Sequence, residues 1–295
     1  MATFVASIIA TIIMKKPLFL LAVCLLTLPA LSQDFSFPGR SKADVTRLLS
    51  VHPWGHARVA YFGDSLTDPR NNGSKKKYWN FLQDYLNITP YVYGVSGREW
   101  TDIPRQANQL KAEHGDDFDA ITILIGTNDY NHGVPIGQWY TETAESVRAA
   151  ASNLPNQLYP RMQRHWSKDR NTFCGRINIA LDSLKTLFPT KQIVLFTTPH
   201  RAIFDPNERN IQPEETYTNK IGLYLDAYNK AIIEAGQIWG VPVIDLSALS
   251  GINPLVKSQQ IYMKDEHDLL HPSDRGHDRM ARTMVYQLFT LPCYF

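Results

Sequence analysis

The chain has 295 residues, 44% hydrophobic and 20% charged, an ordinary globular balance with length enough for one large α/β domain or two small ones. Its formal net charge is +2, and Lys15 and Lys16 account for all of it, so the chain beyond Ser32 is neutral and offers nucleic acid no electrostatic footing. Beyond the N-terminal segment no apolar run approaches the ~20 residues of a transmembrane helix, so no stable membrane insertion is expected once that segment is removed.

In chain order, the first feature is Met14-Lys15-Lys16, the apolar run 17–28 and Ala30-Leu31-Ser32. A basic start, an apolar centre and small residues before a cleavage point make 1–32 a secretory signal, with the mature chain starting near Gln33 and destined for the periplasm or the medium. The apolar stretch 1–13 has no place in that layout and is better explained by translation starting at Met14. Runs rich in Val, Ile, Tyr and Phe then predict buried strands over 59–63, 91–95, 120–126, 192–198 and 241–246.

Helical spacing falls between them. Lys75-Lys76-Lys77 reads as a solvated helix start before Tyr78, Trp79, Leu82 and Leu86. Ile103, Ala107 and Leu110 follow Thr101 or Asp102 as cap, Ile177, Leu181, Leu184 and Leu187 repeat the pattern, and helices are expected over 217–239 and 280–288. Strand and helix in alternation predict a three-layer α/β/α domain over 33–295 around a five-stranded, mostly parallel sheet, because each parallel pair needs a crossover and each crossover covers a face. Segments 133–171 and 201–212 stand outside the alternation, the first as an insertion. Cys174 and Cys293 are expected at opposite edges of the sheet and so unpaired.

Ligands of an open parallel sheet bind outside the carboxyl ends of its strands. Those positions hold Gly63-Asp64-Ser65-Leu66, Val95-Ser96-Gly97-Arg98, Gly126-Thr127-Asn128-Asp129 and, beyond the fifth strand, Asp268-Leu269-Leu270-His271-Pro272. Such a set supplies acyl transfer. Ser65 is a nucleophile once His271 takes its proton, Asp268 holds the imidazole in one tautomer, and the Ser65 and Gly97 N–H groups with the Asn128 amide are donors for an oxyanion. Gly94 competes with Gly97 for that role, and Gly97 is preferred.

These four blocks, GDSL, VSG, GTND and DLLHP, resemble in kind and order the SGNH or GDSL hydrolase family. The resemblance implies a flavodoxin-like fold and a two-step ester hydrolysis through an acyl-serine, with neither metal nor cofactor. His267, Asp268, His271 and His277 read otherwise as zinc ligands, but the triad uses two of them, and His267 and His277 are then expected at the surface. The Gly-x-Ser-x-Gly elbow of the α/β-hydrolases is absent from the sequence.

Arg98, Trp100, Tyr130 and Arg201, together with Trp139 and His200, follow strand ends and are candidates to line the cleft. The polar and aromatic loops favour a short acyl group, acetyl, on a glycan or other small ester. A lysophospholipase or thioesterase of the same fold is the alternative, and a glycan-binding protein without catalysis a third. The sequence does not choose an oligomeric state.

Overall fold

The computed structural model describes residues 49–295; the segment 1–32, expected to be a secretory signal, lies outside them. Strand β1, Arg58–Gly63, leads through a loop into helix α1, Tyr78–Leu86, and β2, Thr89–Val92. A 3-10 turn, Trp100–Asp102, runs into α2, Ile103–His114, then β3, Ala120–Leu124, and the short α3, Thr127–Asn131. Strands β4, Tyr140–Ala151, and β5, Leu154–Trp166, form a long hairpin before α4, Phe173–Leu187, and β6, Gln192–Phe196. After β7, Phe204–Asn207, and β8, Asn210–Gln212, come α5, Leu225–Trp239, β9, Val243–Ile244, and α6, Leu246–Leu249. Strands β10, Met263–Asp265, and β11, Asp268–Pro272, precede the last helix, α7, Asp274–Thr290.

The main sheet has the order β2-β1-β3-β6-β9, and every pairing in it is parallel. This is the three-layer arrangement expected from the alternation. Because neighbouring strand residues point to opposite faces, Ala60, Phe62, Ile121, Ile123, Ile193 and Leu195 join the core formed with α2, α4 and α5. Tyr61 and Phe196 face the other way, where both rings meet Tyr78 of α1 edge-on. The order reverses direction at β1 and β3, so a crevice opens between the loops that leave their carboxyl ends. A second sheet, β10-β11-β7-β8, is antiparallel and carries Asp268 and His271 on β11.

Several expectations need correction. The first strand ends at Gly63 as expected, but the other four stop before their apolar runs do, and Ile125 and Thr197 stay buried in loops beyond the strand ends. The helix expected over 217–239 starts only at Leu225, since the Asn219 carboxamide accepts from the Ile221 and Leu223 N–H groups and closes a loop ahead of it. Lys77 is buried rather than solvated, and its ammonium reaches Asn71 Oδ1 at 3.3 Å. Burial lowers the Lys77 pKa to about 8. His277 is also buried, not at the surface; its Nδ1 accepts the Tyr78 N–H at 3.2 Å, and burial holds its pKa well below the ordinary imidazole value. Cys174 and Cys293 are both free thiols, and burial pushes Cys174 up to about 12.

Candidate active site

The turn after β1 is built by Asp64. Its carbonyl accepts the Thr67 and Asp68 N–H groups at 3.1 and 2.9 Å, and its carboxylate accepts the Leu66 N–H at 3.1 Å. Gly63 is the only residue type that fits before it, because a Cβ there would lie 2.3 Å from Thr67 Oγ1 and 2.6 Å from the Leu124 carbonyl. The turn lifts Ser65 to the crevice. His271 Nε2 lies 2.9 Å from Ser65 Oγ, and its Nδ1 lies 2.9 and 3.0 Å from the two Asp268 oxygens. The His271 N–H also donates to Asp268 Oδ1 at 2.9 Å, so one carboxylate grips both the ring and its backbone. Burial works to raise the Asp268 pKa, but the His271 hydrogen bond, with help from Lys264, outweighs it and holds the group ionised below its ordinary value.

Asn128 sits in the first turn of α3, and its Nδ2 donates to the Arg98 carbonyl at 2.9 Å with Asp64 Oδ2 at 3.4 Å. One amide thus spans the loops after β1, β2 and β3. Gly97 has a φ of +78°, a backbone that favours glycine, and a Cβ there would meet nothing. Gly94 is instead packed on Thr67, where a Cβ would lie 2.6 Å from the threonine Cβ. Among the described residues neither the Ser65 nor the Gly97 N–H donates to another protein group.

Two acidic residues to which the sequence analysis gives no role of their own hold these loops. Asp68, buried, accepts the Ser96 N–H at 2.8 Å and the Ser96 hydroxyl at 3.0 Å, tying the loop that carries Gly97 to the loop that carries Ser65. Burial tends to raise the Asp68 carboxyl, but Arg70 and Ser96 hydrogen bonds outweigh that and bring it to about 2. Asp129, fully buried, accepts the Trp100 N–H at 3.1 Å and Arg176 Nη1 at 2.8 Å, and the same nitrogen reaches Glu99 Oε2 at 3.0 Å. Burial raises the Asp129 carboxyl to about 7 despite that arginine, and burial raises Asp64 to about 7 as well. A signal for Asp68 was available in the sequence: it lies three residues after Ser65, in the same turn.

We expect Asp68→Ala to lower kcat about tenfold or more while leaving KM within about twofold, because it frees a donor-bearing loop without touching the nucleophile. Asp68→Asn, which still offers an acceptor to Ser96, should recover part of the loss. Steady-state kinetics on a chromogenic ester decide it, and an unchanged kcat would separate Asp68 from the site.

The cleft candidates divide. Arg98 is exposed on the rim. Trp100 does not line the cleft, because its ring is wholly buried and meets Phe173 edge-on. Tyr130 is buried too, with its hydroxyl donating to the Tyr217 carbonyl at 2.9 Å. Arg201 is only 1% exposed, lies under the site rather than on it, and donates to Thr127 Oγ1 at 3.3 Å. With Asp64, Leu66, Leu124, Thr198 and Leu270 it borders a cavity of about 10 Å³. His267 is exposed, and among the described residues no group of three or more His, Cys, Asp or Glu is arranged to hold a metal.

The GDSL-like lipase/acylhydrolase family model matches residues 61–279. The chain belongs to that family. No curated protein matches the sequence. Among solved structures, a protein from Lactobacillus plantarum is 24% identical, with 79% of this chain and 97% of that one covered and a TM-score of 0.61. A possible lipase from Chitinophaga pinensis is 20% identical over 78% of this chain and 97% of its own, with a TM-score of 0.56. An acetylxylan esterase from Geobacillus stearothermophilus is 16% identical over 81% and 96%, with a TM-score of 0.46. At these identities the likeness to the first two speaks to the fold alone.

Proposed function

We propose that this GDSL-family protein is an exported serine esterase that removes short acyl groups, acetyl above all, from a carbohydrate. The carrying observation is the unbroken line from Ser65 Oγ through His271 to Asp268, with both gaps at 2.9 Å. In this reading His271 takes the Ser65 proton as the hydroxyl oxygen bonds the ester carbonyl carbon. The Ser65 and Gly97 N–H groups meet the resulting oxyanion, and the Asn128 amide joins them as it gives up one of its bonds to the Arg98 carbonyl and Asp64. His271 then returns the proton to the departing alcohol oxygen, leaving an acyl-serine. A water, deprotonated by the same ring, releases the acid and restores Ser65.

The short acyl length rests on the loops at the strand ends, which are polar and aromatic and carry no continuous apolar lid of the kind a long acyl chain would favour. A polar rim with exposed Arg98 suits a hydrated alcohol partner such as a sugar better than a lipid tail. Export rests on the layout of 14–32.

The test is a series of p-nitrophenyl esters from acetyl to octanoyl beside acetylated polysaccharides, with Ser65→Ala as control. Activity should be highest for acetyl, fall as the chain lengthens, and release acetate from at least one polysaccharide. Rising activity towards octanoyl would favour a lysophospholipase or thioesterase, and failure of a fluorophosphonate to label Ser65 would point to binding without catalysis.

A further inference from the structure

The hairpin β4–β5 stands apart from the ester site, and its root is firmly held. Trp166 stacks on Trp239 with ring centroids 4.3 Å apart, the Ser167 N–H donates to the Trp139 carbonyl, and the Asn178 amide donates to the carbonyls of Trp139 and Ser167. Beyond the root the strands are exposed on both faces among the described residues. Cross-strand register sets Ala144 opposite Met162, Ser146 opposite Pro160 and Arg148 opposite Leu158 on one face, and Val147 opposite Tyr159 on the other. Each face therefore has an apolar centre open to water, with Val147 46%, Leu158 66% and Met162 63% exposed.

A two-stranded hairpin is marginal in water by itself, and a long open edge is a template for another strand. Arg164 pairs with Glu142 and His165 with Glu145 across the strands, but exposed pairs of this kind add little. We propose that β4–β5 is an arm that embraces a second copy of this chain, forming a twofold dimer in which each arm is gripped by its partner.

Size and charge favour that occupant. Twelve strand residues reach about 40 Å, and two strands with their side chains are about 10 Å wide, so the two faces together offer about 800 Å². That is about what each partner contributes to a stable interface. The strands hold two glutamates, both on β4, and three arginines, two of them on β5, so each arm has a formal charge of only 3 − 2 = +1 and a twofold-related pair can set the acidic strand of one against the basic strand of the other.

Size-exclusion chromatography with light scattering on the full chain at micromolar concentration should give about twice the monomer mass of 33.6 kDa. Leu158→Glu with Met162→Glu alters only groups the monomer exposes, and should give a monomer with the wild-type melting temperature. A second variant, with residues 144–162 replaced by a short Gly-Ser turn, should also be monomeric. A monomeric wild type would overturn the proposal, including the case in which residues 1–48 of the same chain cover the arm. A dimer that persists in both variants would overturn it equally. Neither readout depends on esterase activity.

Discussion

Replacing His271 with alanine should lower kcat for p-nitrophenyl acetate by roughly 10⁴- to 10⁶-fold, with Ser65→Ala falling as far and the double variant little further. The reason is that the two side chains act as one device. A serine hydroxyl at neutral pH attacks poorly unless its proton has somewhere to go, and among the described residues the base bonded to Ser65 Oγ is His271 Nε2 at 2.9 Å. Once either member is gone, the other has no remaining task, so their losses do not add. What survives is the rate supplied by the unengaged donors, which explains why activity should not fall to that of water. Asp268→Asn should cost less than His271→Ala, because the His271 ring would keep part of its orientation from Phe204, which meets it edge-on at 5.4 Å. Melting temperatures measured beside kcat would separate lost chemistry from lost fold; a kcat for His271→Ala within tenfold of wild type would defeat the assignment.

The residues closest to this chemistry were legible because each sits in a short block directly after a strand, or on a strand leading out to the same rim. A strand end dictates position, and residue type dictates what can be done there. The aromatic candidates were not legible in the same way. Trp100 and Tyr130 also follow strand ends, yet the side on which each ring packs is decided by Phe173 of α4, Tyr228 of α5 and the Tyr217 carbonyl, all distant in sequence. His277 was misjudged for a similar reason: nothing local reveals that Tyr78 of α1 will stack on it with ring centroids 6.3 Å apart. The hairpin β4–β5 could not be read from periodicity, since a strand exposed on both faces has no alternation to show. The order of the sheet was legible only through the family resemblance, because strand-helix alternation predicts parallel neighbours without saying which strand lies beside which.

Arg176→Met should destabilise the protein more at pH 8 than at pH 5, by up to about 1.4 kcal/mol for a carboxyl that titrates near 7. Asp129 is fully buried, and among the described residues Arg176 is the one cation bonded to it. The sign follows from linkage. An Asp129 pKa of about 7 lies above the 3.8 of an unfolded aspartate, so the stability it contributes is full below 3.8 and is lost as pH rises through 7. Without the arginine that pKa climbs further, and the loss continues above pH 7 where the wild type has levelled off. At pH 5 the carboxyl is protonated in both proteins, and the variant forfeits only packing and the bond to Glu99. Adding Asp129→Asn to Arg176→Met should recover most of the difference at pH 8, because a neutral amide can still accept the Trp100 N–H. Activity should fall with stability in the single variant, since Asp129 joins the loop carrying Asn128 to the one carrying Gly97. Urea titrations at the two pH values test this directly: equal penalties at pH 5 and pH 8 would mean that the arginine serves packing rather than charge.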